Sequence, residues 1–253
     1  MSDEYVLSII NKYRIISEID ATTQIHVIAP LVKIITQWAG ECLNDIYLSG
    51  SRAKGTAINL SSDLDLFISL KSTTSNSLGE LYESLYNFIN LNGYKPRKQN
   101  VSIGLNISGK QVDLVPGKKR TGNTNYHSLY ISKRDTWTQT NIVEHINKVK
   151  NSDRILEIVL LKIWCKLHKV EFPSIYLELI VIEELKGKNK STTAHNFIKL
   201  LEYLQKEFVN KKVLDPANTN NVISEDLFKY EKEIIQKKAT ESRSQKYWKD
   251  IIW

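Results

Sequence analysis

Residues 47–69 constrain the fold of this chain more than any other stretch. They read Tyr-Leu-Ser-Gly-Ser-Arg-Ala-Lys-Gly-Thr-Ala-Ile-Asn-Leu-Ser-Ser-Asp-Leu-Asp-Leu-Phe-Ile-Ser. A short apolar run ends in Gly50-Ser51, a basic turn carrying Lys54 follows, and a strand-like segment then carries Asp63 and Asp65. Alternate residues of an extended strand share a face. Asp63 and Asp65 therefore stand on one side, and Leu64, Leu66 and Ile68 on the other. The apolar side belongs to the core, which leaves the paired carboxylates facing a cleft. Two like charges held that close repel unless a cation lies between them. An oxygen-only donor pair on a rigid element suits Mg²⁺, which takes one or two carboxylates plus substrate phosphates; Mn²⁺ is the alternative. Upstream, Gly50 lets the backbone approach a ligand closely, and Ser51 offers a hydroxyl and an N–H. The turn opens a short helix whose N-terminus favours phosphate.

The flanking chain sets this segment in a mixed α/β context. Helices are predicted over 2–19, 22–39 (Thr22 or Thr23 as N-cap, a break or kink at Pro30, a stop at Gly40) and 78–91, where Leu81, Leu85 and Ile89 share one face. Strands are predicted over 45–49, 63–70, 101–107 and 111–115, the last two joined by a tight turn at Ser108-Gly109. A tight turn demands an antiparallel pair, which disfavours a doubly wound parallel sheet. Residues 117–126 read as a loop holding Lys118, Lys119 and Arg120, and residues 136–145 as a lead into a helix. The remainder reads as helical. Residues 152–169 form an amphipathic helix with Lys162 and Lys166 on its polar face. Residues 172–185 form a helix apolar nearly all round, and further helices cover 193–208, 225–240 and 243–252.

Composition narrows the function classes. The chain has 253 residues, 42% of them hydrophobic and 25% charged, as expected of a globular protein. No apolar run reaches the length of a membrane span, and Met-Ser-Asp-Glu-Tyr lacks the layout of a signal peptide. Cys42 and Cys165 lie far apart without metal-ligand spacing, so both read as reduced core residues of a cytoplasmic protein. A net charge of +7 favours polyanionic partners: nucleoside triphosphates, oligonucleotides or RNA. A generally lysine-rich composition would give the same figure.

The ordered combination Gly-Ser, Gly-Thr, Asp-x-Asp resembles the signature of the DNA polymerase β-like nucleotidyltransferase superfamily. Asp113, in Val-Asp-Leu-Val-Pro after a hairpin, matches the superfamily's third catalytic carboxylate. Leu-Leu-Lys-Ile-Trp-Cys-Lys around Lys162 is similar to a segment of oligoadenylate synthases and class I CCA-adding enzymes, where the matching lysine contacts the triphosphate. The Ser-Ile-Tyr-Leu-Glu-Leu run from Ser174 resembles the same two groups. There Ser174 and Tyr176 would face the cleft, with Tyr176 stacking on a base; as a bare tyrosine at a helix start, core packing is equally open.

The resemblance implies an α+β fold: a polymerase β-like palm with a small mixed sheet in residues 1–135, then a helical nucleotide-binding domain in 136–253. It implies attack of a ribose hydroxyl on the α-phosphate of a nucleoside triphosphate, ATP or dATP, with release of pyrophosphate. Asp63, Asp65 and Asp113 would be the catalytic carboxylates and the metal ligands. Gly50, Ser51, Lys54, Lys162, Ser174 and Tyr176 would bind the nucleotide. Within the branch of CD-NTases, oligoadenylate synthases and class I CCA-adding enzymes, three activities compete. The first makes cyclic or linear oligonucleotide messengers of an antiphage type, read by a downstream effector protein. The second extends tRNA or another RNA at its 3′ end. The third is an inactive or antitoxin-like nucleotide-binding module, which three intact carboxylates argue against. The short chain favours the first, because class I CCA-adding enzymes carry further tRNA-gripping domains.

Overall fold

The computed structural model describes residues 2–16, 19–61, 63–122, 124–190 and 192–253. Ser62 and the parts of predicted segments that fall on Ser17, Glu18, Asn123 and Ser191 lie outside the described residues. The chain divides into a sheet-containing unit, Ser17–Ala53 with Ser62–Ile146, and a helical unit, Met1–Ile16 with Lys54–Ser61 and Asn147–Trp253.

The sheet-containing unit is built on strands β1 (Leu43–Ser49), β2 (Leu64–Leu70), β3 (Arg97–Lys98), β4 (Ile103–Ile107), β5 (Lys110–Lys119), β6 (His127–Ile131) and β7 (Thr136–Thr140). They form one sheet ordered β1-β2-β5-β4-β3, with β6 and then β7 continuing from β5. The β2–β5 pairing is parallel and the others are antiparallel, so the sheet is mixed. Ser108 and Gly109, both at positive φ, make the tight turn between β4 and β5. The expected mixed α/β class holds, and the doubly wound parallel sheet does not.

Strand alternation decides which face is core. Leu64, Leu66, Ile68 and Leu70 of β2, Ile103 and Leu105 of β4, and Val112 and Leu114 of β5 are buried on one side. Against them pack Leu31 and Ile35 of the Ala29–Ala39 helix and Leu81, Leu85 and Ile89 of the Leu78–Leu91 helix. Ser77 and Glu80 close a capping box at the start of the latter. The helical stretch expected over 22–39 begins with a short turn, Ala21–Thr23, capped by Asp20 and not by Thr22 or Thr23: the Asp20 side chain accepts the N–H of Thr23 at 2.8 Å. The stretch continues into the Ala29–Ala39 helix. Pro30 does not break this helix. A π-turn at Gln24–Ile28 comes just before it and absorbs the irregularity that a residue without an N–H imposes.

Three expectations are corrected, two in the second half of this unit and one in the helical unit. Lys118 and Lys119 are not in a loop; β5 runs on through Pro116 and Gly117 to Lys119. Only the connection from Arg120 to Tyr126 lies between strands. Residues 136–140 do not lead directly into a helix but form β7, which pairs with β6 as a hairpin before the Ile142–Lys150 helix. The 2–19 helix ends at Tyr13, and Arg14 bridges to Ile58 within the helical unit.

In the helical unit, helices Ser2–Tyr13, Ile155–Leu167, Ser174–Glu184, Thr193–Lys206 and Lys229–Arg243 bury one shared core. The two chain ends are tied down together: the Tyr5 and Tyr13 hydroxyls donate to the carbonyls of Ile252 and Trp253 at 2.9 and 3.0 Å. The Ile155–Leu167 helix is not amphipathic as the spacing predicted. Every residue from Glu157 to Cys165 is buried, Lys162 included. The acidic and basic groups in this core are paired: Arg154 meets Glu157 at 3.1 Å, and Asn196 also donates to Glu157. Both cysteines are free thiols, Cys165 buried and Cys42 half-buried. Among the described residues no helix is long and apolar enough to cross a membrane.

Candidate active site

The carboxylates stand where strand geometry puts them. Asp63 is exposed, immediately ahead of β2, and Asp65 is the second residue of that strand. Asp65, Phe67 and Ser69 alternate with the buried leucines and so occupy the sheet face away from the helices. In the parallel β2–β5 ladder Asp65 is the register partner of Asp113. Register partners point to the same side, so the two carboxylates are neighbours on that face.

Each carboxylate has its own frame. β1 ends at Ser49, whose hydroxyl donates to the Asp65 carbonyl at 3.2 Å, and Gly50 follows at φ +62. A Cβ at Gly50 would stand 1.7 Å from Asp65 Oδ2. Glycine is thus required twice, for the left-handed backbone and for the space. Asp113 receives the Gln99 amide on Oδ1 at 3.2 Å and the Ser102 hydroxyl on Oδ2 at 3.4 Å. Gln99 reaches it over Gly104, where a Cβ would meet the Gln99 amide nitrogen at 2.6 Å. Burial, and then the charge of Asp63, push the Asp113 carboxyl above the usual aspartate range; the Ser102 and Gln99 hydrogen bonds oppose this. The predicted Asp-x-Asp and the distant Asp113 are therefore electrostatically coupled in the folded chain.

Among the described residues no three acidic, histidine or cysteine side chains stand close enough to enclose a metal ion by themselves. What the face offers is an open, oxygen-only donor set. That set suits a hard divalent cation that shares its coordination with substrate oxygens.

Ser51 is half-buried in the short Gly50–Lys54 helix. The helical unit gathers Lys54 and Lys162 around an acid the sequence reading passed over, Glu178. Lys54 Nζ donates to Glu178 Oε2 at 2.7 Å and Lys162 Nζ to Oε1 at 2.6 Å. Thr56 accepts from Lys162 at 2.9 Å and donates to Glu178 at 3.2 Å. Glu178 and Thr56 are wholly buried, and the two lysines nearly so. Burial alone would raise the Glu178 pKa, but the charges of Lys162 and Lys54 outweigh it and hold the carboxyl below the ordinary glutamate range. Ser174 is exposed at the start of its helix, whereas Tyr176 is fully buried with its ring against Phe172 and Phe208. Of the two readings open for Tyr176, core packing describes its surroundings.

Gln99, Ser102, Gly104 and Glu178 were missed by the sequence reading. Glu178 alone left a signal: an acid in the middle of Leu-Glu-Leu-Ile-Val-Ile, where every neighbour is apolar.

The comparisons with known proteins agree with this geometry. The family model for the nucleotidyltransferase domain matches residues 31–215, well over half of the chain. No curated protein sequence matches. Among solved structures, CdnC of E. coli MS115-1 with ATP superposes with a TM-score of 0.76 at 18% identity, over 95% of this chain and 89% of that one. The Elizabethkingia meningoseptica CdnE cyclic dinucleotide synthase with GTP and Apcpp gives 0.61 at 14%, over 94% and 97%. A cytoplasmic RNA terminal U-transferase gives 0.62 at 11%, over 98% and 95%. At such identities these likenesses speak for the fold, and the family model goes further: this chain belongs to the nucleotidyltransferase domain family.

Proposed function

We propose that this chain joins nucleotides, using nucleoside triphosphates as donors and releasing pyrophosphate. The observation that carries this reading is the in-register Asp65–Asp113 pair, with Gly50 held against Asp65. A hydroxyl oxygen of the acceptor nucleotide forms a bond to the α-phosphorus. The bond from that phosphorus to the bridging oxygen breaks, pyrophosphate leaves with the electron pair, and the hydroxyl proton is lost. Asp63, Asp65 and Asp113 would hold divalent cations, Mg²⁺ or Mn²⁺, which would lower the pKa of the attacking hydroxyl, easing loss of its proton to water, and offset the charge on the leaving group. Asp113, made more basic by burial and by Asp63, holds the acceptor hydroxyl in line. The Gly50–Ser51 backbone and the Ser51 hydroxyl contact the triphosphate. The resemblance adds Lys54 and Lys162 as contacts of the triphosphate, through their positive charge.

For the product we infer an oligonucleotide messenger, cyclic or linear, acting through a downstream effector protein in the cytoplasm. The likeness to CdnC and CdnE supports this class, and the ATP bound to CdnC supports ATP as a first substrate to test. The free thiols at Cys42 and Cys165 agree with a reducing compartment. RNA 3′-end extension is the second reading, supported by the net charge of +7. Mass spectrometry separates the two. Purified protein is incubated with mixed ribo- and deoxynucleoside triphosphates and Mg²⁺ or Mn²⁺, with and without bulk tRNA. Oligonucleotides formed without RNA are the expected result. Extension of tRNA alone would replace the messenger reading with the RNA one, and no product in either arm would count against transfer by the isolated chain.

A further inference from the structure

A second nucleic-acid site is built on the sheet-containing unit, on the part of β5 farthest from the carboxylates. Lys118, Lys119 and Arg120 follow one another out of β5 and line a shallow hollow of about 390 Å³ together with Ser72, Ser128 and Trp137. No acidic side chain is among its lining residues. Trp137, on β7, is 54% exposed, an unusual position for the largest apolar side chain. The Arg120 guanidinium lies over its ring, 5.5 Å from the centroid. From Asp113 to Lys118 along β5 is roughly 17 Å at the usual rise per strand residue, so the hollow is separate from the catalytic face.

The parts have a specific chemistry. Lys118 shares its sheet face with its register partner Ser128, and with Arg120 it can meet neighbouring phosphates. Lys119 pairs with His127, so its side chain leaves the opposite face of the sheet. An exposed indole offers a flat face to an unpaired base. A guanidinium already stacked on that indole extends the platform. Ser128 and Ser72 add neutral hydroxyls. A duplex hides its base faces and cannot use Trp137. We infer that this hollow binds single-stranded nucleic acid, one base stacking on Trp137 and about two phosphates lying along Lys118 and Arg120. The inference does not depend on nucleotidyl transfer, and it holds without divalent cations.

The test is fluorescence anisotropy of the full chain with 5′-labelled fifteen-nucleotide poly-A and poly-U RNA, and with a duplex of the same length, in EDTA across a salt series. Single strands are expected to bind more tightly than the duplex. Trp137→Ala should weaken single-strand binding about tenfold, with Trp137→Phe restoring most of it. Lys118→Ala should reduce the slope of log affinity against log salt by about 0.7, as for one lost single-strand phosphate contact. Lys190→Ala, an equal change of net charge at an exposed position of the helical unit, should leave the affinity unchanged. An unchanged thermal melt checks folding. Equal affinity in Trp137→Ala and wild type, or equal losses from Lys118→Ala and Lys190→Ala, would overturn the site and leave only general charge attraction. Preference for the duplex would overturn it as well.

Discussion

Gly50 and Asp65 occupy each other's space: the carboxylate oxygen Oδ2 of Asp65 lies 1.7 Å from the point where any side chain at residue 50 would begin. No rearrangement confined to residue 50 can make room, because its φ of +62 already excludes most L side chains. Gly50→Ala is therefore expected to expel the Asp65 carboxylate from its place and to strain the turn. A loss of about 1–2 kcal/mol in stability follows from the backbone alone. Activity should fall far more, by about a hundredfold or greater, because the displaced group is one the proposed reaction uses. Thermal melts beside a nucleotide-incorporation assay would separate the two effects. Wild-type turnover in a folded Gly50→Ala protein would remove this contact from the mechanism.

The frame around Asp113 predicts a graded pair of variants. Asp113→Ala should abolish turnover while leaving nucleotide binding largely intact. Gln99→Ala removes only the amide that donates to Asp113 Oδ1 at 3.2 Å, so the carboxylate stays but loses its fixed direction. The expected outcome is a fall in kcat of about tenfold with little change in KM, since orientation and not substrate contact is lost. Steady-state kinetics with titrated Mg²⁺ reads this directly. A Gln99→Ala change confined to KM would place Gln99 on the substrate instead.

These two cases show what a sequence can and cannot carry. Asp63, Asp65 and Gly50 were legible because they lie within one short segment whose alternation is local. Asp113 was legible only through its resemblance to a known pattern, since register across a sheet is not written in spacing. Gln99 and Ser102 were invisible: they precede β4 and reach Asp113 by tertiary contact. The far half of β5 was missed because Pro116 looks like a strand end. Along that edge β4 pairs up to Leu114 and β6 begins at Gly117, so Pro116 falls between partners where no N–H is needed. Lys162 was placed on a polar helix face and given a triphosphate contact by resemblance; its buried pairing with Glu178 was not legible, because helical spacing cannot show an acid arriving from another helix.

Glu178 should dominate the acid stability of the helical unit. Its folded pKa lies below the unfolded value, so the stabilisation is present above the ordinary glutamate range and is lost as pH falls through the folded pKa. Glu178→Gln removes the charged acceptor that Lys54 and Lys162 share inside the core, which should cost about 3–5 kcal/mol at neutral pH. Urea unfolding from pH 4 to pH 7 would check the acid limb. A Glu178→Gln protein as stable as wild type at pH 7 would show that the cluster is not held by charge.

His127 should remain neutral well below the pH at which a free histidine protonates. Burial lowers its pKa, as does the charge of Lys119, while the hydrogen bond to Asn125 opposes them. The Asn125 carbonyl can only accept, so Nδ1 carries the proton and donates at 3.0 Å. Nε2 is then an acceptor for the Ser69 hydroxyl at 2.7 Å, and that hydroxyl in turn accepts from Asn44 at 3.0 Å. Protonating Nε2 would set two donors against each other beside the edge of Phe67. The unfolded state takes up this proton first, so stability declines as pH falls below about 6.5. Nitrogen NMR of the imidazole should report the Nδ1–H tautomer at neutral pH, with a midpoint below the free-histidine value. His127→Gln should flatten the stability profile as pH falls below about 6.5. An Nε2–H tautomer would mean that Ser69 accepts from the ring, and the chain of donors from Asn44 would have to run the other way.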